Sequence, residues 1–335
     1  MRFGLALPHY DFSLPGGERI SFDGMARFAH MAERLGFDSA WVSDHFFLSL
    51  ARYGGPPDLH GSLEAMTTLA GLAATTERLR LGTLVLAAPF RHPAVLAKAA
   101  TAVDLFSGGR LDLGIGAGWY EDEFRAFGYG FGTVGERFAV LEETLEVLGQ
   151  LLPGGPATFR GRHFQLQEAF NHPPPSQTPR PPIWLGAKGG DRSLRLAARH
   201  ADGWNTVWRW TPDAYADRVR RAREACDEEG RDPRSLRLSL GLYTVVGEDR
   251  EDLVARFQTL QSWLPGGALD RETLESFMSD TLTGTPDQVL ERVSRFAELG
   301  VQEIIVAPAP IPFALPDPSI VEVFAEAVMP KAREL

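Results

Sequence analysis

The chain has 335 residues, 44% hydrophobic and 23% charged, the balance of a globular protein that can bury a sizeable core without staples. A formal net charge of -10 argues against a general nucleic-acid binder, whose phosphate contacts need a basic face, and the single cysteine, Cys226, excludes an internal disulfide. The opening MRFGLALPHYDF is too short in its apolar run for a signal-peptide core, and no stretch approaches the length of a membrane span, so the expectation is a cytoplasmic protein with no membrane partner.

Apolar runs of strand length recur along the chain: RFGLAL (2 to 7), SAWVS (39 to 43), RLGTLVLA (80 to 87), RLDLGIG (110 to 116), PIWLGA (182 to 187), GWNTV (203 to 207), RLSLGLYTVV (237 to 246) and EIIVAP (303 to 308). They are rich in Val, Ile and Leu with little alternation, as parallel strands covered on both faces require. Helical segments lie between them. SFDGMARFAHMAERLG offers Ser21 or Asp23 as N-cap and Gly36 as terminator, TPDAYADRV offers Thr211 with Pro212, and GTPDQVLERVSRFAELG offers Thr285, Pro286 and Gly300. Eight βα repeats with right-handed crossovers predict an α/β fold, a (β/α)8 TIM barrel, over a single domain spanning 1 to 335. The proline-rich stretch from about 151 to 181 reads as an insertion between strands four and five, and 249 to 283 as extra helices after strand seven.

In such a barrel the chemistry sits at the carboxyl ends of the strands. Strand four ends in GIGAGWYEDEF, where Gly114, Gly116 and Gly118 suggest a dinucleotide fingerprint, but its third glycine falls at Trp119, so that motif is absent. Two readings of the glycines stay open: a close approach by a ligand, or a tight turn. Other strand ends deliver His9 and Tyr10, Ser43-Asp44-His45, Asn205, Trp208 and Tyr243, an aromatic lining with few charges that suits a planar heterocycle. With Trp41 on strand two, His9, Asn205, Trp208 and Tyr243 are the substrate-pocket candidates. His45 is the candidate proton donor or acceptor near neutral pH. In GAKGGDRSLRLAARH, Gly189 and Gly190 precede a helix whose free N–H groups suit a phosphate, with Lys188 or Arg192 adding charge. No H-x-H follows strand one, and H-E-x-x-H and G-x-S-x-G are absent, so neither a metal centre nor a serine hydrolase is expected.

AERLGFDSAWVSDHF, RLRLGTLVLAAPFRHPAVLAKAATAVDLFSGGRLDLGIGAGWYEDEF and RSLRLAARHADGWN together resemble the bacterial luciferase-like superfamily, most of all its F420-dependent oxidoreductases. The resemblance covers nearly the whole chain. It implies a (β/α)8 barrel, usually a homodimer, with a deazaflavin or flavin ring held near a non-prolyl cis peptide in strand three, here Leu84-Val85. It further implies that His45 is the active-site proton group, that Gly116, Ala117, Gly118 and Trp119 border the cofactor, and that Lys188, Gly189 and Gly190 hold its phosphate. The leading expectation is hydride transfer between C5 of F420 and a small organic substrate. The alternative is a monooxygenase using reduced FMN from a separate reductase partner. In a sugar-phosphate dehydrogenase branch a glutamate occupies the place of Trp119, which argues against glucose 6-phosphate here.

Overall fold

The computed structural model describes residues 1–264, 267 and 269–335. Every apolar run becomes a strand: β1 (Arg2–Ala6), β2 (Ser39–Val42), β3 (Arg80–Thr83), β4 (Leu111–Gly116), β5 (Ile183–Gly186), β6 (Gly203–Trp208), β7 (Arg237–Val246) and β8 (Val301–Ala307). They alternate with helices and pair in parallel, and the fold class is α/β, a (β/α)8 barrel. β4 is buried at all six positions, so no face of it could have shown a polar alternation.

Contacts gather the chain into two compact units, one of residues 1–63, 205–220 and 238–335, the other of 64–204 and 221–237. In the first unit β1 pairs with β8 (Gly4↔Ile305) and with β2 (Leu5↔Ala40), and β8 also pairs with β7 (Leu240↔Ile304). A short strand that sequence reasoning did not anticipate, Leu282–Gly284, runs parallel to the end of β7. The core of this unit contains a polar knot. Glu303 is wholly buried, accepts from Arg2 (2.9 Å) and from the Ser39 hydroxyl (2.5 Å), and Trp41 Nε1 donates to that hydroxyl (2.8 Å). Burying a carboxylate is tolerable only with such partners. Gly4 is glycine because a Cβ there would come within 2.6 Å of the Trp41 indole nitrogen.

In the second unit β4 is central, pairing with β3 (Leu81↔Leu111), with a resumed two-residue strand Leu86–Ala87 and with β5 (Ile183↔Leu113). Helix termini follow the chemistry expected of them. The Ser21 hydroxyl accepts from Gly24 N–H (3.1 Å), Thr211 from Ala214 N–H (3.1 Å), and Gly36 and Gly300 hold φ of 83° and 94°, where a side chain would be strained.

The insertion carries an antiparallel hairpin, Ala157–Arg160 with Gln165–Ala169. A single side chain ties it down: Glu143, on helix Val134–Leu151, accepts from the backbone N–H groups of Arg162 (2.8 Å), His163 (2.8 Å) and Phe164 (3.0 Å). Partial burial alone would raise the Glu143 pKa, but the three donors outweigh it and hold the carboxyl below its ordinary value. The stabilisation is therefore complete above the ordinary glutamate pKa and is lost as pH falls through the depressed folded value. Glu143→Gln should lower hydrogen-exchange protection at 162–164 by roughly tenfold at neutral pH. Unchanged protection in that variant would show that the hairpin holds without the carboxylate. Among the described residues no helix is long and apolar enough to cross a membrane.

Candidate active site

The second unit explains the glycines of GIGAG. The Leu84-Val85 peptide is cis, as the resemblance implied, and it separates β3 from its two-residue continuation. The Val85 side chain then lies on glycine-lined backbone. A Cβ at Gly186 would sit 2.6 and 2.7 Å from its two methyls, and one at Gly116 3.0 Å from a methyl and 2.9 Å from the Gly186 carbonyl oxygen. At Gly114 a Cβ would overlap the Thr83 carbonyl oxygen, and the Thr83 hydroxyl both donates to Gly114 O (2.7 Å) and accepts from Gly114 N–H (2.9 Å). Gly114 and Gly116 thus make room for the irregular third strand. Gly118 serves a turn: its φ is 74°, and a Cβ would meet the Phe124 ring at 2.7 Å. Beside it Ala117 is half-buried, and Trp119 presents 43% of its surface, the conspicuous exposed ring of this loop.

Helix Asp191–His200 begins in the manner of an anion seat. Gly189 has φ 78°, Gly190 is the N-cap with no side chain capping the first turn, and a Cβ at Gly190 would meet nothing within 4 Å. The first-turn N–H groups therefore have no side-chain cap. Asp191, which would repel an anion, is paired with Arg221. The protein strips part of the hydration from Lys188 and lowers its pKa. Arg192, the other cation considered for this seat, turns instead to Gly135 O (3.0 Å) and Glu142 (3.4 Å).

The first unit holds the ring-bearing residues. His45 is half-buried just past β2, its carbonyl accepts the Ser62 hydroxyl, and its ring is 6.5 Å from that of Tyr10. His9 is fully buried with Nδ1 2.8 Å from the Ser43 hydroxyl. Trp208 stacks on Tyr243 with centroids 5.3 Å apart and planes 7° from parallel, and Phe313 meets the Trp208 ring edge-on at 5.5 Å. Trp208 and Phe313 both have positive φ, 95° and 56°. Bulky side chains in that region cost about 1–3 kcal/mol each and recur at functional sites. Burial pushes the Tyr243 phenol well above its ordinary pKa, so it remains a neutral O–H.

Of the remaining pocket candidates, Trp41 belongs to the Ser39–Glu303 knot at 1% exposure, and Asn205 donates to the Ser239 hydroxyl (2.9 Å) at 2% exposure; both are as buried as His9 and Tyr243. Sequence reasoning missed Phe313, which lies beyond β8 in the proline-rich APAPIPFALP, a strand end not read for ligand groups.

Two polar features of the second unit lie apart from these strand ends. A cavity of about 550 Å³ at the amino end of β6 is lined by engaged charges, Arg180 with Asp202 (2.5 Å), Arg199 with Glu229 (2.6 Å) and Arg231 with the carbonyls of Ala197, Ala198 and Ala201. Among the described residues Glu142, Glu146 and His200 bring ligand-type atoms within 4.8 Å of one another, but Arg192 and Arg199 already flank Glu142 at 3.4 and 3.8 Å.

The parallel eight-stranded barrel with helices between its strands defines the (β/α)8 fold class. The luciferase-like monooxygenase family model matches residues 1–303, and the chain belongs to that family of oxidoreductases. It is 27% identical over 90% of both chains to phthiodiolone/phenolphthiodiolone dimycocerosates ketoreductase of Mycobacterium tuberculosis. It is 26% identical to an F420-dependent glucose-6-phosphate dehydrogenase of Microbacterium testaceum, over 86% of this chain and 88% of that one. The solved structure of monooxygenase RslO1 from Streptomyces bottropensis superposes with a TM-score of 0.77 at 25% identity, over 99% of each chain.

Proposed function

We propose that this chain is an F420-dependent oxidoreductase that moves a hydride between C5 of the deazaflavin and a small organic substrate. The observation that carries a phosphate-bearing flavin-type cofactor is the uncapped N-terminus of helix Asp191–His200, with Gly189, Gly190 and Lys188 beside it. The relative named as F420-dependent, similar over most of the chain, favours the deazaflavin. When bound, that cofactor supplies two-electron hydride chemistry. The chain's residues do the rest. The N–H groups after Gly190 and the Lys188 ammonium would hold its phosphate, the Leu84-Val85 segment and the Gly118–Trp119 turn would border its ring, and His45 would give or take the accompanying proton. The rings of Tyr10, Trp208 and Tyr243 keep water from the reacting atoms.

A second reading is a monooxygenase served with reduced FMN by a separate reductase, favoured by the likeness to monooxygenase RslO1. The phosphate seat suits either cofactor. A homodimer accompanies both readings, and exposed apolar side chains on helix Pro93–Ser107, Val95 at 64% and Phe106 at 62%, offer a face for it.

Lys188 tests the phosphate seat. Its ammonium loses charge as pH rises through its lowered pKa, so cofactor affinity should be full below that value and fall above it, at lower pH than an ordinary lysine would allow. Lys188→Met should weaken binding of F420, followed by fluorescence quenching, by roughly tenfold, and flatten this pH dependence. An unaltered affinity and pH profile in the variant would place the phosphate elsewhere.

A further inference from the structure

We propose that the stacked Trp208–Tyr243 pair is the substrate-recognising wall of this oxidoreductase, and that it selects a neutral, flat or alkyl-rich carbonyl compound or alcohol over a phosphorylated sugar. The proposal rests on the reading above for the reaction, but its geometry stands within one unit of the chain.

The wall is built for a ring or an alkyl surface. Trp208 and Tyr243 lie nearly parallel, 7° apart, and Phe313 closes the edge at 88°. Tyr243 is buried while Trp208 keeps partial exposure, so the pair offers an accessible aromatic surface backed by a fixed one. Apolar groups gain dispersion and burial on such a surface, whereas a phosphate needs a cation or a nest of N–H groups.

The charge that could have served a phosphate is withdrawn. Trp208 sits at φ 95°, and Arg209, the next residue, is carried to the surface. There it is held by Glu272 (2.6 and 3.0 Å) and by both oxygens of Asp280 (2.9 Å each). Two carboxylates on one guanidinium leave it committed, and moving it toward a sugar phosphate would strand them both. The neutral Tyr243 phenol adds no charge to the wall.

The test uses binding alone, so it is independent of which cofactor the protein takes. The full chain is labelled with 5-fluorotryptophan, the Trp208 fluorine resonance is assigned through Trp208→Phe, and acetophenone and glucose 6-phosphate are titrated separately. Acetophenone should shift the Trp208 resonance saturably while glucose 6-phosphate leaves it in place. Tyr243→Phe should retain acetophenone affinity, and Tyr243→Ala should weaken it roughly five- to tenfold with the other tryptophan resonances still dispersed. A shift caused by glucose 6-phosphate, no shift with either probe, or equal acetophenone affinity in the alanine variant would each overturn the proposal. Failure to bind F420 in a separate titration would instead sink the cofactor reading and leave this result standing.

Discussion

His45→Ala is expected to lower turnover by about 10²- to 10⁴-fold while leaving cofactor affinity unchanged. The residue lies three positions past β2, and the Ser62 hydroxyl donating to its carbonyl fixes the turn. Half-burial leaves its ring open to a reacting group, in contrast to His9, which is fully buried against Ser43. The greater exposure of His45 is what favours it over His9 as the proton group. Steady-state rates, with tryptophan quenching by the cofactor as the binding readout, check the expectation. Full turnover in His45→Ala would remove the residue from the chemistry.

The largest expected effect on stability is at the glycines beneath Val85. Gly114→Ala should cost about 3 kcal/mol or more, because the new methyl would overlap a backbone oxygen, that of Thr83, which cannot rotate aside. Gly186→Ala collides only with Val85 atoms, its methyls at 2.6 and 2.7 Å and its Cβ at 3.2 Å. Shortening Val85 should therefore relieve it. Chemical denaturation of Gly186→Ala, Val85→Ala and the double variant should give a favourable coupling of about 1–2 kcal/mol. Strict additivity would mean that Val85 does not rest on this glycine, and a mild Gly114→Ala would mean that β3 can move away from β4.

The fold was legible because parallel strands announce themselves. Eight apolar runs such as RLDLGIG and EIIVAP became eight strands, with helix caps at Ser21, Thr211 and Thr285 between them. Leu282–Gly284 escaped because three residues carry no periodicity. The site was only partly readable. Position along a strand did not sort the candidates: Trp41 and Asn205 lie no farther from their strand ends than Tyr243 does, and only the assembled structure shows what each side chain touches. The purpose of Gly114 and Gly116 was hidden for another reason. Their collision partners, Thr83, Val85 and Gly186, are distant in sequence, and only the assembled strands show that the missing Cβ atoms accommodate a neighbouring strand.

The central claim is that the phosphate seat and ring-bearing strand ends serve a deazaflavin. Titrating the purified protein with F420 and, separately, with FMN, while following tryptophan and cofactor fluorescence, tests it most directly. The account predicts micromolar or tighter F420 binding with FMN much weaker. Tight FMN binding with little affinity for F420 would contradict it and point to oxygen chemistry supplied by a reductase partner.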